Sequence, residues 1–265
     1  MSGLKTSTDI GVEVRNRGQV PNGADTYARE KVLALISHVS EPVLSVRVKL
    51  TQAVNASTVR PATAQAVVDV NGRPVRAHVA ASTMFEAVDL LQERLTARLA
   101  RARRYGSRGP RGSGPDDRAS WDGPGHEHRP HRHHMPAEER RIVRHKSFSL
   151  ARQTPEDALI DLEAMDYGFW VFTDLASGYD SVVYRDPRTG RHRMASLGPV
   201  GREREIEGVM SVSTIPVPTS RVDEAVQRLH LTGLPFVFFH DTATGRGSVL
   251  YHRYDGHYGL ITPAM

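Results

Sequence analysis

A chain of 265 residues, 39% hydrophobic and 25% charged, is long enough for two or three modest cores and too varied for one mini-domain. It has no Cys, which excludes disulfide frameworks, thiolate metal sites and cysteine nucleophiles and fits a reducing, cytoplasmic setting. The formal charge of +5 is concentrated between Arg15 and Arg111, so that half expects a polyanion, with nucleic acid ahead of an acidic membrane surface. Residues 1–8 are polar with no apolar leader core, and no apolar run is long enough to span a bilayer, so no membrane partner is expected.

In chain order, residues 10–104 alternate between the periods of strand and helix and predict β-α-β-β-β-α. Strand one, 10–17, puts Ile10, Val12 and Val14 on one face and Glu13, Arg15 and Arg17 on the other. Helix one, 25–39, buries Ala28, Val32, Leu35, Ile36 and Val39 and carries Arg29 and Lys31 at its flank. Strand two, 43–52, turns Leu44, Val46, Val48 and Leu50 inward and Arg47, Lys49 and Thr51 outward. Strands three and four, 63–70 and 74–80, meet at Asn71-Gly72, a strong hairpin signal, and the fourth offers Arg76 to the outer face. Helix two opens on the capping box Thr83 to Glu86 and runs to about residue 104. Its core stripe is Met84, Val88, Leu91, Leu95 and Leu99, with Arg94, Arg98 and Arg101 as a basic rail beside it, followed by Arg103 and Arg104. The expected small domain has both helices on one face of a four-stranded sheet and a cationic opposite face.

Residues 105–141 are dominated by Gly, Pro, Ser, Arg, His and acids and read as a flexible linker. The tract His126, His128, His131, His133 and His134 is compositional evidence only, so no metal site is assigned.

An internal repeat follows. Ala158 answers to Ala225, Leu162 to Leu229, Asp174 to Asp241, Gly178 to Gly245 and, after one extra residue, Gly190 to Gly256. Each copy, 142–198 and 209–265, reads as strand, helix and three-stranded meander. The middle strands are apolar on both faces and need cover on two sides. One helix covers one face, which leaves a patch expected to meet another sheet. The pairing residues expected are Phe169, Trp170, Phe172, Val183 and Tyr184 in the first copy and Phe236, Phe238, Phe239, Leu250 and Tyr251 in the second. Two patches joined by a short connector predict an internal pseudo-dimer, with pairing between chains as the alternative. The fold class is α+β throughout.

No enzyme is expected. His38, His78, His240 with Asp241, and His252 form no recognisable nucleophile, metal or phosphate-loop motif, and His240-Asp241 reads as a turn entry. No cofactor or small-molecule substrate is implied. An RNA-binding or transcription-associated regulator acting on free RNA is the alternative to the reading that follows.

Tyr27, Gly72, the run Met84-Phe85-Glu86-Ala87-Val88-Asp89 with Leu95, and the closing Arg101 and Arg103 resemble the long-form ribosome hibernation-promoting factors, the sigma-54 modulation or ribosome-associated inhibitor family. The second copy is the more specific match, through Phe238-Phe239, Thr244-Gly245, Val249-Leu250-Tyr251 and Asp255-Gly256-His257-Tyr258-Gly259-Leu260-Ile261. The first copy keeps Gly190 but ends Arg191-His192-Arg193-Met194-Ala195, losing the Tyr-Gly-Leu-Ile. The resemblance implies an N-terminal domain, 1–104, in the messenger and transfer RNA channel of the small ribosomal subunit. It further implies C-terminal domains that dimerise to join ribosomes. The two-copy architecture is similar to that of actinobacterial members; copies that satisfy each other internally would store single, inactive ribosomes under stress.

Overall fold

Strand-period and helix-period segments alternate in the N-terminal part of the computed structural model, which describes residues 11–53, 60–108, 135–187, 189–199, 205–206 and 210–264. The described residues fall into two units: one takes the N-terminal elements together with Glu163–Asp166, the other the rest of the C-terminal half.

In the first unit, β1 (Val12–Arg17), α1 (Ala24–Ile36), β2 (Val43–Gln52), β3 (Ala62–Val70), β4 (Arg73–Ala81) and α2 (Met84–Arg108) follow in the expected order. The sheet runs β1-β2-β3-β4, with β1 parallel to β2 and the other pairs antiparallel. Asn71 and Gly72 both adopt positive φ, 52° and 82°, which lets a two-residue turn follow the twist of its strands. Glu86 donates its backbone N–H to Thr83 Oγ1 at 3.2 Å, while its carboxylate accepts from the Thr83 N–H at 3.4 Å; the capping box is closed. Both helices pack on one sheet face, where Leu50, Leu91 and Leu95 are fully buried. Each such side chain contributes about 1.5–3 kcal/mol relative to exposure.

Three expectations change here. Leu44 is 61% exposed, because the ladder shifts register between Val43 and Ser45 and rotates it out of the inward row. Helix α1 stops at Ile36, where His38 and Val39 close tighter bonds to the carbonyls of Leu35 and Ile36. Helix α2 continues to Arg108, past the expected start of the linker. Ile10 and the His126 to His134 tract lie outside the described residues.

In the second unit the first repeat supplies β5 (Ile142–Phe148), β6 (Arg152–Gln153), α3 (Pro155–Ala164), β7 (Phe169–Asp174), β8 (Asp180–Arg185) and β9 (His192–Ser196). After β10 (Glu205–Ile206), the second supplies β11 (Met210–Val212), β12 (Thr219–Ser220), α4 (Val222–Thr232), β13 (Phe236–Asp241), β14 (Arg246–His252) and β15 (Tyr258–Pro263). Two sheets result, ordered β10-β11-β9-β8-β7-β6 and β12-β13-β14-β15-β5. The leading strands are exchanged: β5 of the first repeat runs parallel to β15 of the second, and β11 of the second runs parallel to β9 of the first. Each repeat therefore completes its partner's sheet through backbone hydrogen bonds.

Candidate nucleic-acid interface and pairing face

Alternation along β1 and β2 buries Val12, Val46, Val48 and Leu50 and turns the intervening side chains outward. The parallel register sets Arg15 beside Lys49, Glu13 beside Arg47 and Arg17 beside Thr51. Arg17, Arg47 and Lys49 are exposed; Arg15 is too, and its Nε donates to Glu13 Oε1 at 2.6 Å. An exposed pair of this kind is worth little and yields readily to a phosphate. Arg76, half-buried on β4, donates to Gln65 Oε1 at 3.1 Å and to the Met165 carbonyl at 3.4 Å.

The flanking cations have local tasks. Arg29 donates to the Val12 carbonyl and so ties α1 to β1. Lys31 lies 3.0 Å from Asp89 Oδ1 and 5.2 Å from the centre of the Tyr27 ring. The Tyr27 hydroxyl donates to Asp89 at 2.7 Å, and its ring meets Phe85 edge-on. That hydroxyl, with the Lys31 ammonium, holds the Asp89 carboxyl below its usual value, and the carboxylate raises Lys31 in return. Tyr27 and the Phe85 and Asp89 of the helix-two run thus meet in one cluster that joins the two helices.

The basic rail of α2 differs from its expected open state. Arg94 and Arg98 both donate to Asp166 Oδ1, at 2.8 and 2.7 Å, and Asp166 Oδ2 accepts from the His78 N–H. Arg98 also donates to the Glu163 carbonyl, and Arg101 lies 3.7 Å from the Glu163 carboxylate. One carboxylate stands between guanidiniums one turn apart and accepts from both, and Arg98 is only 8% exposed. Arg103 stays exposed, 3.8 Å from Glu41. Arg104 lies within α2, and its side chain is outside the described residues.

The ten aromatic and aliphatic residues expected to form one patch divide between two sheet faces. Phe169, Tyr184, Phe236, Phe238 and Tyr251 share a core with Val171, Val182 and Val249, drawn from both repeats. In it the Phe169 ring lies 4.7 Å from Phe236 and 5.6 Å from Tyr251, and Tyr184 meets Phe236 edge-on. Phe239 and Leu250 instead pack with Leu229 of α4. By strand alternation Trp170, Phe172 and Val183 occupy the corresponding opposite face of the first repeat, where the Trp170 indole donates to Gln153 Oε1 at 3.1 Å. Val182 and Val249, on the strands read as apolar on both faces, line this core without standing among the expected pairing residues; counting pairs outward from the Gly178 and Gly245 turns gives their parity from sequence. Burial raises the Tyr184 hydroxyl above its usual value, against the lowering influence of Arg193.

Asp241 is 3% exposed and accepts from the Ala243 N–H at 3.0 Å, while its carbonyl accepts from Gly245; it shapes the turn that begins beside His240. Among the described residues no acidic or histidine cluster could hold a metal, and no helix is long and apolar enough to cross a membrane.

Residues 137–190 and 205–260 each match the family described as Sigma 54 modulation/S30EA ribosomal protein C terminus. The two repeats are therefore two copies of one domain type. The match covers the C-terminal repeats only, and the rest of the chain lies outside it. Over 142 residues, 51% of this chain, it is 42% identical to proteins named Dormancy associated translation inhibitor from two strains of Mycobacterium tuberculosis. The match takes in 52% of each, so the chain spans about half the length of the curated relatives it matches. Among solved structures it is similar to a ribosomal subunit interface protein from Coxiella burnetii, at 15% identity and TM-score 0.30, over 35% of this chain and 97% of that one. It is also similar to the Protein Y N-terminal domain of Thermus thermophilus, at 22% identity and TM-score 0.28, over 35% and 96%.

Proposed function

We propose that the protein is a cytoplasmic ribosome hibernation factor that inhibits translation. Residues 1–104 dock on ribosomal RNA in the messenger and transfer RNA channel of the small subunit. The copies 142–198 and 209–265 close on each other within the chain, so that ribosomes are stored singly.

The observation that carries the docking is the outer face of the N-terminal sheet, where Arg15 and Lys49 stand side by side with exposed Arg17 and Arg47 nearby. Such a face binds phosphates without sequence readout, as folded RNA recognised by shape requires. The strands carry no Phe, Tyr or Trp, which speaks against base stacking on a single strand. The internal closure is supported by the core shared between repeats and by the exchanged strands. The name of the mycobacterial relatives, a translation inhibitor of dormancy, agrees with this reading.

Sucrose-gradient sedimentation with purified small subunits and whole ribosomes tests it. The full chain is expected to co-sediment with the small subunit and to leave ribosomes single. Reversing Arg15, Arg17, Arg47 and Lys49 to Glu is expected to release it at moderate salt. Equal retention of that variant would refute docking through the sheet face, and a paired-ribosome peak would refute internal closure.

A further inference from the structure

The two C-terminal copies meet at a point where the repeat is broken in sequence. The correspondence of Asp174 with Asp241 and Gly178 with Gly245 makes Tyr179-Asp180 the counterpart of Arg246-Gly247. Those counterparts touch across the sheet-to-sheet core. Arg246 donates to the Asp180 carboxylate through Nε at 2.7 Å and Nη2 at 3.0 Å, and the Gly247 N–H donates to it at 2.9 Å. Thr173 adds a fourth donor at 3.1 Å, and the Asp180 side chain is 5% exposed. The bare Cα of Gly247 makes room for this, since a Cβ there would sit 2.8 Å from Asp180 Cβ and 2.8 Å from the Phe238 ring.

We propose that Asp180 on the first copy and Arg246-Gly247 on the second make the copies non-interchangeable, so that a first-copy face accepts only a face of the second type. A residue that touches its own counterpart lies at the approximate two-fold of the pair, where like-with-like pairing sets each residue against itself. Two first-copy faces would oppose Asp180 to Asp180, with a side chain where Gly247 leaves space and no guanidinium to neutralise either carboxylate. Two second-copy faces would set Gly247 against Gly247 and leave each Arg246 without a carboxylate, holding only the Ala264 carbonyl of its own copy. A buried charge that loses its partner is strongly unfavourable, and specificity is the difference between the matched and mismatched pairs. The exchanged strands are also unequal: β5 makes six register pairs with β15, and β11 makes three with β9.

This proposal rests on the reading that the copies pair, and not on any contact with the ribosome. Its test uses two full-length variants. Arg246→Tyr with Gly247→Asp gives a chain whose copies both read Tyr-Asp; Tyr179→Arg with Asp180→Gly gives one whose copies both read Arg-Gly. Alone, each is expected to lose hydrogen-exchange protection at β8 and β14. Mixed in equal amounts, they are expected to regain it in a species of two-chain mass by light scattering. Variants that keep wild-type protection and single-chain mass, alone and mixed, overturn the proposal. Should either variant fail to fold, Asp180→Asn keeps the shape and removes the charge. It is expected to exchange about tenfold faster at β8 and β14; unchanged rates there overturn the proposal equally. Wild-type chain of two-chain mass would sink internal closure while leaving the selectivity to be read from the mixture.

Discussion

The N-terminal sheet and the C-terminal sheets pose the same problem and solve it with opposite chemistry. The N-terminal sheet buries one face under two helices and presents Arg17, Arg47 and Lys49 on the other. In the C-terminal sheets Val182 and Val183, neighbours on opposite faces of β8, are both fully buried. The uncovered face decides what the domain can meet. Cations separated by one pleat leave a surface that stays hydrated until an anion displaces the water, whereas Phe, Tyr and Val at the same positions need apolar cover.

Deleting apolar contact breaks this contrast most strongly. Phe238→Ala is expected to cost about 3–5 kcal/mol in the C-terminal unit. Chemical denaturation should show an earlier C-terminal transition with the N-terminal one unmoved, and a shift of both would erase the distinction between the units. Acid comes next. Burial pushes the Asp180 carboxyl up, but donation from Arg246, Gly247 and Thr173 outweighs it and holds the group below the ordinary 3.8. Its folded pKa lies under its unfolded one, so the stability it supplies is complete above pH 3.8 and is lost as pH falls through the depressed value. Protection at β8 and β14 should fall over that acid range, and Asp180→Asn should flatten the dependence. An unaltered acid profile in that variant would remove Asp180 from the account.

Smaller effects sharpen the contrast from the N-terminal side. Thr83→Ala removes the acceptor that caps α2 and is expected to cost about 1 kcal/mol, read as an earlier N-terminal transition alone. Lys49→Ala should leave stability within about 0.5 kcal/mol. Its effect belongs in binding, where the salt dependence of ribosome association should shallow by about 0.9 in the log–log slope. An unchanged slope would mean that Lys49 meets no phosphate.

Local pattern settled a large share of this protein. The order of elements in the N-terminal unit, the Asn71-Gly72 turn, the Thr83 capping box and the stripe from Met84 to Leu99 are all written in residues a few positions apart, where period and capping act. The repeat and the need of its middle strands for two-sided cover were legible for the same reason. Tertiary structure decided the rest. A bulge at β2 exposed Leu44, since one irregular residue overrides alternation. Asp166 reached Arg94 and Arg98 from about seventy positions away in sequence, a pairing that no local period encodes. The exchange of β5 and β11 was invisible, because a strand's side chains state which face is apolar and not which edge its backbone will join. Alternation divides side chains between faces only once the register is known, so the pairing residues could be named as a group while their division between helix and partner sheet waited on the assembled sheets.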